Sequence, residues 1–304
     1  MVGKIYNQIV YSTATVNRNK DNTYSICCVL IGLSLLICLL AIPVFSSLWH
    51  LWNSNGNFDG LMLVPCMCAL ILIKRKNELA RIRPTPIKAV IFILPVSIGA
   101  MLILSLHGYI RLSALFFILN LVVTVFAVFG FDASKPLLAP LLFLTLMVPP
   151  SQNFMDFLTV NLQRIFSLFV EALFHSFSDC FLKRESFTIW FTNPDRLMRI
   201  TPECSGIRSL LGFIIMSSFF AILDRHKFLP AIFILFAGVG TALVMNFARI
   251  LITMQLRLNG LEEYSIGPWH GFLGILMFMI GCILSNKFSK YLKQIGLKNL
   301  KEEE

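Results

Sequence analysis

The chain has 304 residues, of which 57% are hydrophobic and only 14% are charged, and its formal net charge is +10. A soluble domain of this length does not need so large an apolar fraction, so the composition excludes an ordinary globular protein and predicts a polytopic membrane protein. The basic excess lies mostly in short loops and in the C-terminal tail, where it indicates membrane topology rather than binding to nucleic acid.

Eight apolar segments follow a polar arm at residues 1–24 and are predicted to be membrane-spanning helices. They cover residues 26–45, 60–73, 89–106, 112–129, 136–148, 205–223, 228–258 and 269–284. The first segment is too long for the core of a signal peptide and lacks a clear small-residue cleavage site. No repeat and no linker interrupts the chain, so residues 1–304 are predicted to form a single membrane-embedded domain.

The stretch between the fifth and sixth spans has a different character. Residues 154–177 are apolar at helical spacing but carry several polar groups, which favours a helix in the membrane interface over one that faces lipid. Two β-prone runs then flank Asn193, Pro194 and Asp195 and are predicted to form a small β-hairpin.

The distribution of basic residues decides which face each loop occupies. If segment 154–177 lies on the outer interface, the basic clusters at 74–76, 81–88 and 225–227 and the lysine-rich tail all fall inside. Lys183 and Arg184 are then the exception, because they are left outside. If that segment spanned, residues 225–227 would lie outside. We therefore predict an all-α polytopic membrane protein with about eight transmembrane helices, cytoplasmic N and C termini, and a short extracytoplasmic interfacial helix and hairpin.

The polar run at residues 201–209 contains the cysteine with the most reactive surroundings. Thr201 is placed to cap a helix and Pro202 to begin it. Cys204 then lies in the first helical turn, where the positive end of the helix dipole stabilises a thiolate. Arg208, four residues on, shares that helical face and adds a positive charge. The alternative is that Cys204 is a small apolar residue at a helix end.

Six of the eight cysteines lie in apolar runs and are predicted to be inert. Cys180 and Cys204 are the two in polar surroundings, so a disulfide between them on an oxidising face is a further alternative. No zinc-type cysteine spacing occurs in the sequence.

Two further spans carry polar residues at the predicted depth of Cys204. Asn246 and Arg249 share one face of the seventh span, and Arg249 lies ~30 Å along that helix from its inner end. A buried arginine indicates a functional site unless its side chain reaches the lipid headgroups. His270 opens the eighth span, where the helix dipole keeps an imidazole neutral, as a base needs; an interfacial histidine is the alternative.

A cysteine, a histidine and an arginine at one depth support acyl transfer. The thiolate attacks a carbonyl, the imidazole carries the proton to the leaving amine, and the guanidinium stabilises the oxyanion. The motifs that hold them are Cys204-Ser205-Gly206-Ile207, then Asn246-x-x-Arg249, then Gly267-x-x-His270. In this order they resemble the three motifs of the exosortase/archaeosortase family, and the resemblance is strongest over residues 140–286.

The resemblance implies a multi-pass cysteine transpeptidase of the bacterial or archaeal cytoplasmic membrane, with an extracytoplasmic active site. Its substrates would be membrane-anchored proteins with a C-terminal sorting signal, which is a short motif, a transmembrane helix and a basic tail. The acceptor would be an amine or a lipid, and no cofactor, metal or nucleic acid is implied.

The resemblance also implies a role for each site residue. Cys204 would be the nucleophile, Arg249 would polarise the carbonyl, and His270 would be the acid and base. Ser205, Arg208 and Asn246 would support them. Residues 154–177 and 178–200 would be candidate elements for docking the substrate.

Three alternatives stay open at this point. A transporter would also carry a charged residue within a span, although its polar residues would more typically lie near the midplane. A metal site could be built from His50, His107 and His270, all at predicted outer loops. A non-catalytic membrane assembly factor is the third alternative.

Overall fold

The protein is mainly α-helical in a computed structural model, which describes residues 32–33, 35–54, 58–79, 92–177, 182–192, 195–265 and 268–302. The helices are α1 (Ile42–Ser54), α2 (Leu63–Lys74), α3 (Lys76–Leu79), α4 (Ile93–Leu106), α5 (Ile110–Phe143), α6 (Gln152–Phe177), α7 (Ile207–Leu223), α8 (Phe228–Leu258), α9 (Glu262–Ser265) and α10 (Pro268–Glu302). Several predicted features lie outside the described residues, namely the arm 1–24, the basic loop 81–88, Cys180, the turn 193–194 and Gly267.

Within the described residues, three helices are long and apolar enough to cross a membrane: Ile110–Phe131, Phe228–Leu258 and Pro268–Ile295. A bent pair, Ser134–Met147 with Gln152–Leu173, turns by 81° at its break and is either a broken span or a re-entrant loop. These helices and the apolar composition identify a helical membrane protein. The count of eight spans and the side of each terminus stay predictions.

Helix α5 joins two of the predicted spans without the loop expected between residues 129 and 136. Gly130 has φ 76° and ψ 177°, a conformation open to glycine, so the chain kinks there and the helix resumes at once. Pro140, further along α5, has no N–H to donate to the carbonyl of Pro136. Nη1 of Arg75 donates to that carbonyl instead, at 2.7 Å.

The chain divides into two compact units. The first contains Met1–Asn55 and Leu63–Val148, and its core includes the fully buried side chains of Leu48, Ile71 and Met101. The expectation of a single domain stays a prediction.

The second unit contains Gly56–Met62 and Pro149–Glu304, and it carries every described candidate site residue. Its small antiparallel sheet has the order β1 (Leu182–Glu185), β2 (Thr188–Thr192) and β3 (Asp195–Arg199). The β2–β3 pair confirms the predicted hairpin, whereas β1 is a third strand that the sequence did not predict.

The core of the second unit brings helix α6 and the sheet against the segment that precedes α7. Its buried apolar side chains are Phe166, Val170, Ile189, Ile200, Cys204, Ile250 and Met254. The buried side chain of Gln163, on α6, donates from Nε2 to the carbonyl of Ile200 at 2.7 Å. One polar group of the predicted interfacial helix therefore holds the chain four residues before Cys204.

Helices α7, α8 and α10 pack closely because glycines, which lack a Cβ, lie opposite side chains of the neighbouring helix. A Cβ at Gly238 on α8 would overlap the hydroxyl of Ser217 on α7, and one at Gly281 on α10 would overlap the ring of Phe213. The ring of Phe213 also lies 5.0 Å from that of Phe278, measured between centroids. These close contacts fix the helices that carry Arg249 and His270 next to the start of α7.

The turn between α7 and α8 is tied to the far part of α10. The hydroxyl of Ser289 donates to Oδ2 of Asp224 at 2.7 Å, and Nε2 of His226 lies 3.1 Å from the same hydroxyl. Burial is the main cause that lowers the pKa of the His226 imidazole. This contact ties the turn between α7 and α8 to a part of α10 several turns beyond His270.

Candidate active site

Cys204 lies in a short 3₁₀ turn, Pro202–Ser205, that is separate from helix α7. The prediction that it lies in the first turn of the spanning helix is wrong, because Gly206 has φ 74° and ψ 10° and breaks the helical path. Pro202 does begin the turn, as predicted, but Thr201 makes no side-chain cap. Its hydroxyl instead donates to Sγ of Cys204 at 3.5 Å.

Gly206 is required at this position for two reasons. Its left-handed backbone is a conformation that other L residues rarely adopt. A Cβ at this position would also overlap the side-chain amide of Asn246, which lies on α8. The glycine therefore allows the cysteine turn and helix α8 to approach each other directly.

The thiol of Cys204 faces the imidazole of His270 at the first turn of α10. Sγ and Nε2 lie 3.8 Å apart, a separation across which a thiol and an imidazole can share a proton. Cys204 is buried, with 7% of its surface exposed, and it carries a free thiol. The structure thus brings together two residues that are 66 positions apart in the sequence.

Asn246 connects Cys204 with Arg249. Its Nδ2 donates to the backbone carbonyl of Cys204 at 2.9 Å, and its Oδ1 accepts from Nη2 of Arg249 at 2.8 Å. Asn246 is buried, so both amide ends are used without competition from water.

The other two supporting residues occupy different surroundings. Ser205 is fully buried, and its hydroxyl donates to the carbonyl of Pro202 at 2.6 Å, so it stabilises the 3₁₀ turn rather than facing a reactant. Arg208 is exposed at the second residue of α7. Because Gly206 interrupts the helix, Arg208 does not follow Cys204 by one α-helical turn as the sequence predicts.

A cavity of about 570 Å³ opens beside this group, entirely within the second unit. Its polar wall includes Arg208, Ser209, Arg249 and His270. Its apolar wall is formed by side chains of α7 and α10, with a further contribution from Leu61. A reactant in this cavity would meet the imidazole and the guanidinium together.

The described residues contain no group of three His, Cys, Asp or Glu side chains that could hold a metal ion. The alternative metal site at His50, His107 and His270 therefore has no support in the part of the chain that is described. Cys180, the other partner in the alternative disulfide, lies outside that part.

Sequence reasoning missed two contributions to the site. Thr201 was predicted as a cap, yet its hydroxyl contacts the sulfur. Gln163 donates to the carbonyl of Ile200, although in the sequence it is only one of several polar residues on that helix. Neither contact has a local sequence pattern, because each depends on how distant segments pack.

The family model for transmembrane exosortases matches residues 52–286, which is well over half of the chain. The matched residues include the cysteine turn, helix α8 and the first turns of α10, which together carry the candidate site. Comparison with curated proteins gives no match, and neither does comparison with solved structures.

Proposed function

Since the chain belongs to the transmembrane exosortase family, we propose that it is a membrane cysteine transpeptidase that removes a C-terminal sorting signal from exported proteins. The signal would comprise a short motif, a transmembrane helix and a basic tail. The observation that carries the proposal is the 3.8 Å approach of Cys204 Sγ to His270 Nε2, with Arg249 held beside them through Asn246.

The first step is attack by the sulfur of Cys204 on the scissile carbonyl. Nε2 of His270 takes the thiol proton, so the imidazole enters this step neutral. A bond forms between Sγ and the carbonyl carbon, and the carbonyl oxygen gains the negative charge. Arg249 lines the cavity beside His270, and we assign its guanidinium the role of stabilising this oxyanion.

In the second step the tetrahedral intermediate collapses. The carbon–nitrogen bond breaks, and His270 gives its proton to the departing amine. The substrate is left as a thioester on Cys204. A water or an acceptor amine then attacks the thioester with His270 again taking a proton, which releases the product and restores the thiol.

Asn246 acts as a positioning residue in this scheme. One end of its amide holds the carbonyl of Cys204 and the other holds Arg249, so the nucleophile and the oxyanion donor keep a fixed separation. Preorganised donors of this kind need no rearrangement when charge develops.

A thioester intermediate is the chemical signature that tests the proposed function. A soluble reporter followed by a short motif, an apolar helix and a basic tail should form a covalent adduct with the protein. Neutral hydroxylamine should release that adduct, since it cleaves thioesters and leaves amides intact, and mass spectrometry should map it to Cys204. An adduct that resists hydroxylamine, or maps to another cysteine such as the exposed Cys66, would contradict the mechanism.

We further propose that the site faces the extracytoplasmic side of a bacterial or archaeal cytoplasmic membrane. Cys204 precedes α7, and the basic residues 225–227 follow it, so the two lie at opposite ends of one apolar helix. Basic clusters favour the cytoplasmic side, which supports an outward-facing thiol.

Thiol labelling of intact spheroplasts tests this orientation. A variant that keeps Cys204 as its only cysteine should react with a small membrane-impermeant reagent. The exposed Lys227, replaced as Lys227→Cys in an otherwise cysteine-free background, should react only after lysis. The reverse pattern would contradict both the outward-facing site and the predicted eight-span topology.

A further inference from the structure

We propose that the cavity beside His270 binds the leaving-group side of the substrate, namely the first turns of the apolar helix that follows the scissile bond. The inference rests on the proposed function and adds where the sorting signal lies during cleavage. It makes Ile275 and Phe278 specificity-determining residues for an apolar helix.

The cavity changes from polar to apolar along its length. Arg208, Arg249 and His270 line its polar end, where the imidazole of His270 also faces the thiol of Cys204. Ile215 and Phe278 line the apolar end, and each lies eight residues beyond the start of the cavity wall on its own helix, at Ile207 and His270. Eight residues correspond to ~12 Å of α-helix, so the apolar walls continue for about two turns.

His270 identifies which part of the substrate occupies this space. The imidazole must reach the departing nitrogen, so the residues that follow the nitrogen begin at His270. His270, Gly271, Gly274 and Ile275 line the cavity in succession along α10. Cys204, to which the acyl part becomes attached, is buried and is not among the residues that the structure places in the cavity wall.

The direction of the cavity agrees with this assignment. Its wall starts at the first turns of α7 and α10 and continues along the following turns of both helices. Helix α10 contains a candidate membrane span and α7 is a shorter apolar helix. An occupant therefore runs from the reaction centre into the apolar layer, and the transmembrane helix is the part of a sorting signal that does so.

A lipid acyl chain has the same apolar chemistry, but it does not supply the leaving nitrogen that His270 must reach. A lipid that filled the cavity would exclude the leaving nitrogen from His270, and the acyl transfer could not proceed. A helix that begins at the scissile bond supplies the leaving nitrogen and the apolar surface in one molecule.

Two neighbouring residues of α10 provide a matched test. Ile275 lines the cavity and Leu276 does not, although both are exposed apolar side chains. With the reporter described above, Ile275→Asn should lower kcat/KM about tenfold, the effect of losing one apolar contact in a specific pocket. Leu276→Asn introduces the same polar group at the next residue, which does not line the cavity, and should leave kcat/KM unchanged. Equal loss in both variants, or no loss in either, would overturn the assignment.

Photo-crosslinking gives a second readout that does not depend on turnover. A photoreactive amino acid at position 275, in a Cys204→Ala background, should crosslink to the first two turns of the reporter's apolar helix. Crosslinks to residues before the scissile bond, to lipid alone or to nothing would overturn the assignment.

The two proposals fail separately. If Cys204→Ala abolishes processing while Ile275→Asn has no effect, the cavity assignment falls and the proposed function stands. If Cys204→Ala processes the reporter normally, the proposed function itself fails.

Discussion

Replacement of Cys204 by alanine should reduce processing of a sorting-signal reporter on the order of 10⁶-fold, the loss seen when a protease nucleophile is removed. The reason is that Cys204 is the thiol that faces the imidazole of His270, at 3.8 Å. The side chain is small and buried, and the turn is held by backbone contacts, Ser205 and Asn246, none of which needs the sulfur. The protein should therefore still insert and fold.

Cys66→Ala is the matched control, because Cys66 is a free, exposed cysteine of the first unit. It should process the reporter at the wild-type rate. Processing by Cys204→Ala at a rate within tenfold of wild type would show that the sulfur is not the nucleophile.

Replacement of Arg249 by lysine should reduce kcat on the order of 10²–10³-fold, nearly as much as replacement by alanine. The guanidinium donates to Asn246 from Nη2 while it also lines the cavity. A lysine carries the same charge on a single nitrogen, so it cannot keep the contact with Asn246 and present donors to the oxyanion in the same planar geometry.

Arg257→Lys is the control for this second prediction, since Arg257 lies in the last turn of the same helix and does not line the cavity. Its kcat should match that of the wild type. Full activity of Arg249→Lys would mean that Arg249 acts only as a diffuse charge or as a membrane anchor.

The sequence was enough to predict that the site residues lie near one another, because two independent patterns agreed. The order of apolar segments placed Cys204, Arg249 and His270 near one depth, and the motifs around them gave the same set. The structure brings them together through Asn246 and the Cys204–His270 approach. Their catalytic roles remain the proposal tested above.

The backbone conformation at Cys204 could not be predicted from the sequence, because it depends on a contact between distant residues. Thr201 and Pro202 form a good helix start, and the sequence predicts one continuous helix from there. The break at Gly206 depends on the approach of Asn246, forty positions away, and local propensity contains no information about that contact. Strand β1 was missed because its residues, Leu182–Glu185, include three charged side chains and do not alternate in the usual way.

The close approach of Gly206 to Asn246 has a consequence for how this protein can change over generations. Any side chain at 206 would overlap the amide at 246, so the two positions cannot vary independently. A smaller residue at 246 would make room, but it would also remove the group that holds Cys204 and Arg249. A replacement at either position alone therefore disturbs the approach of the cysteine turn to α8, so we expect neither residue to be replaced without the other.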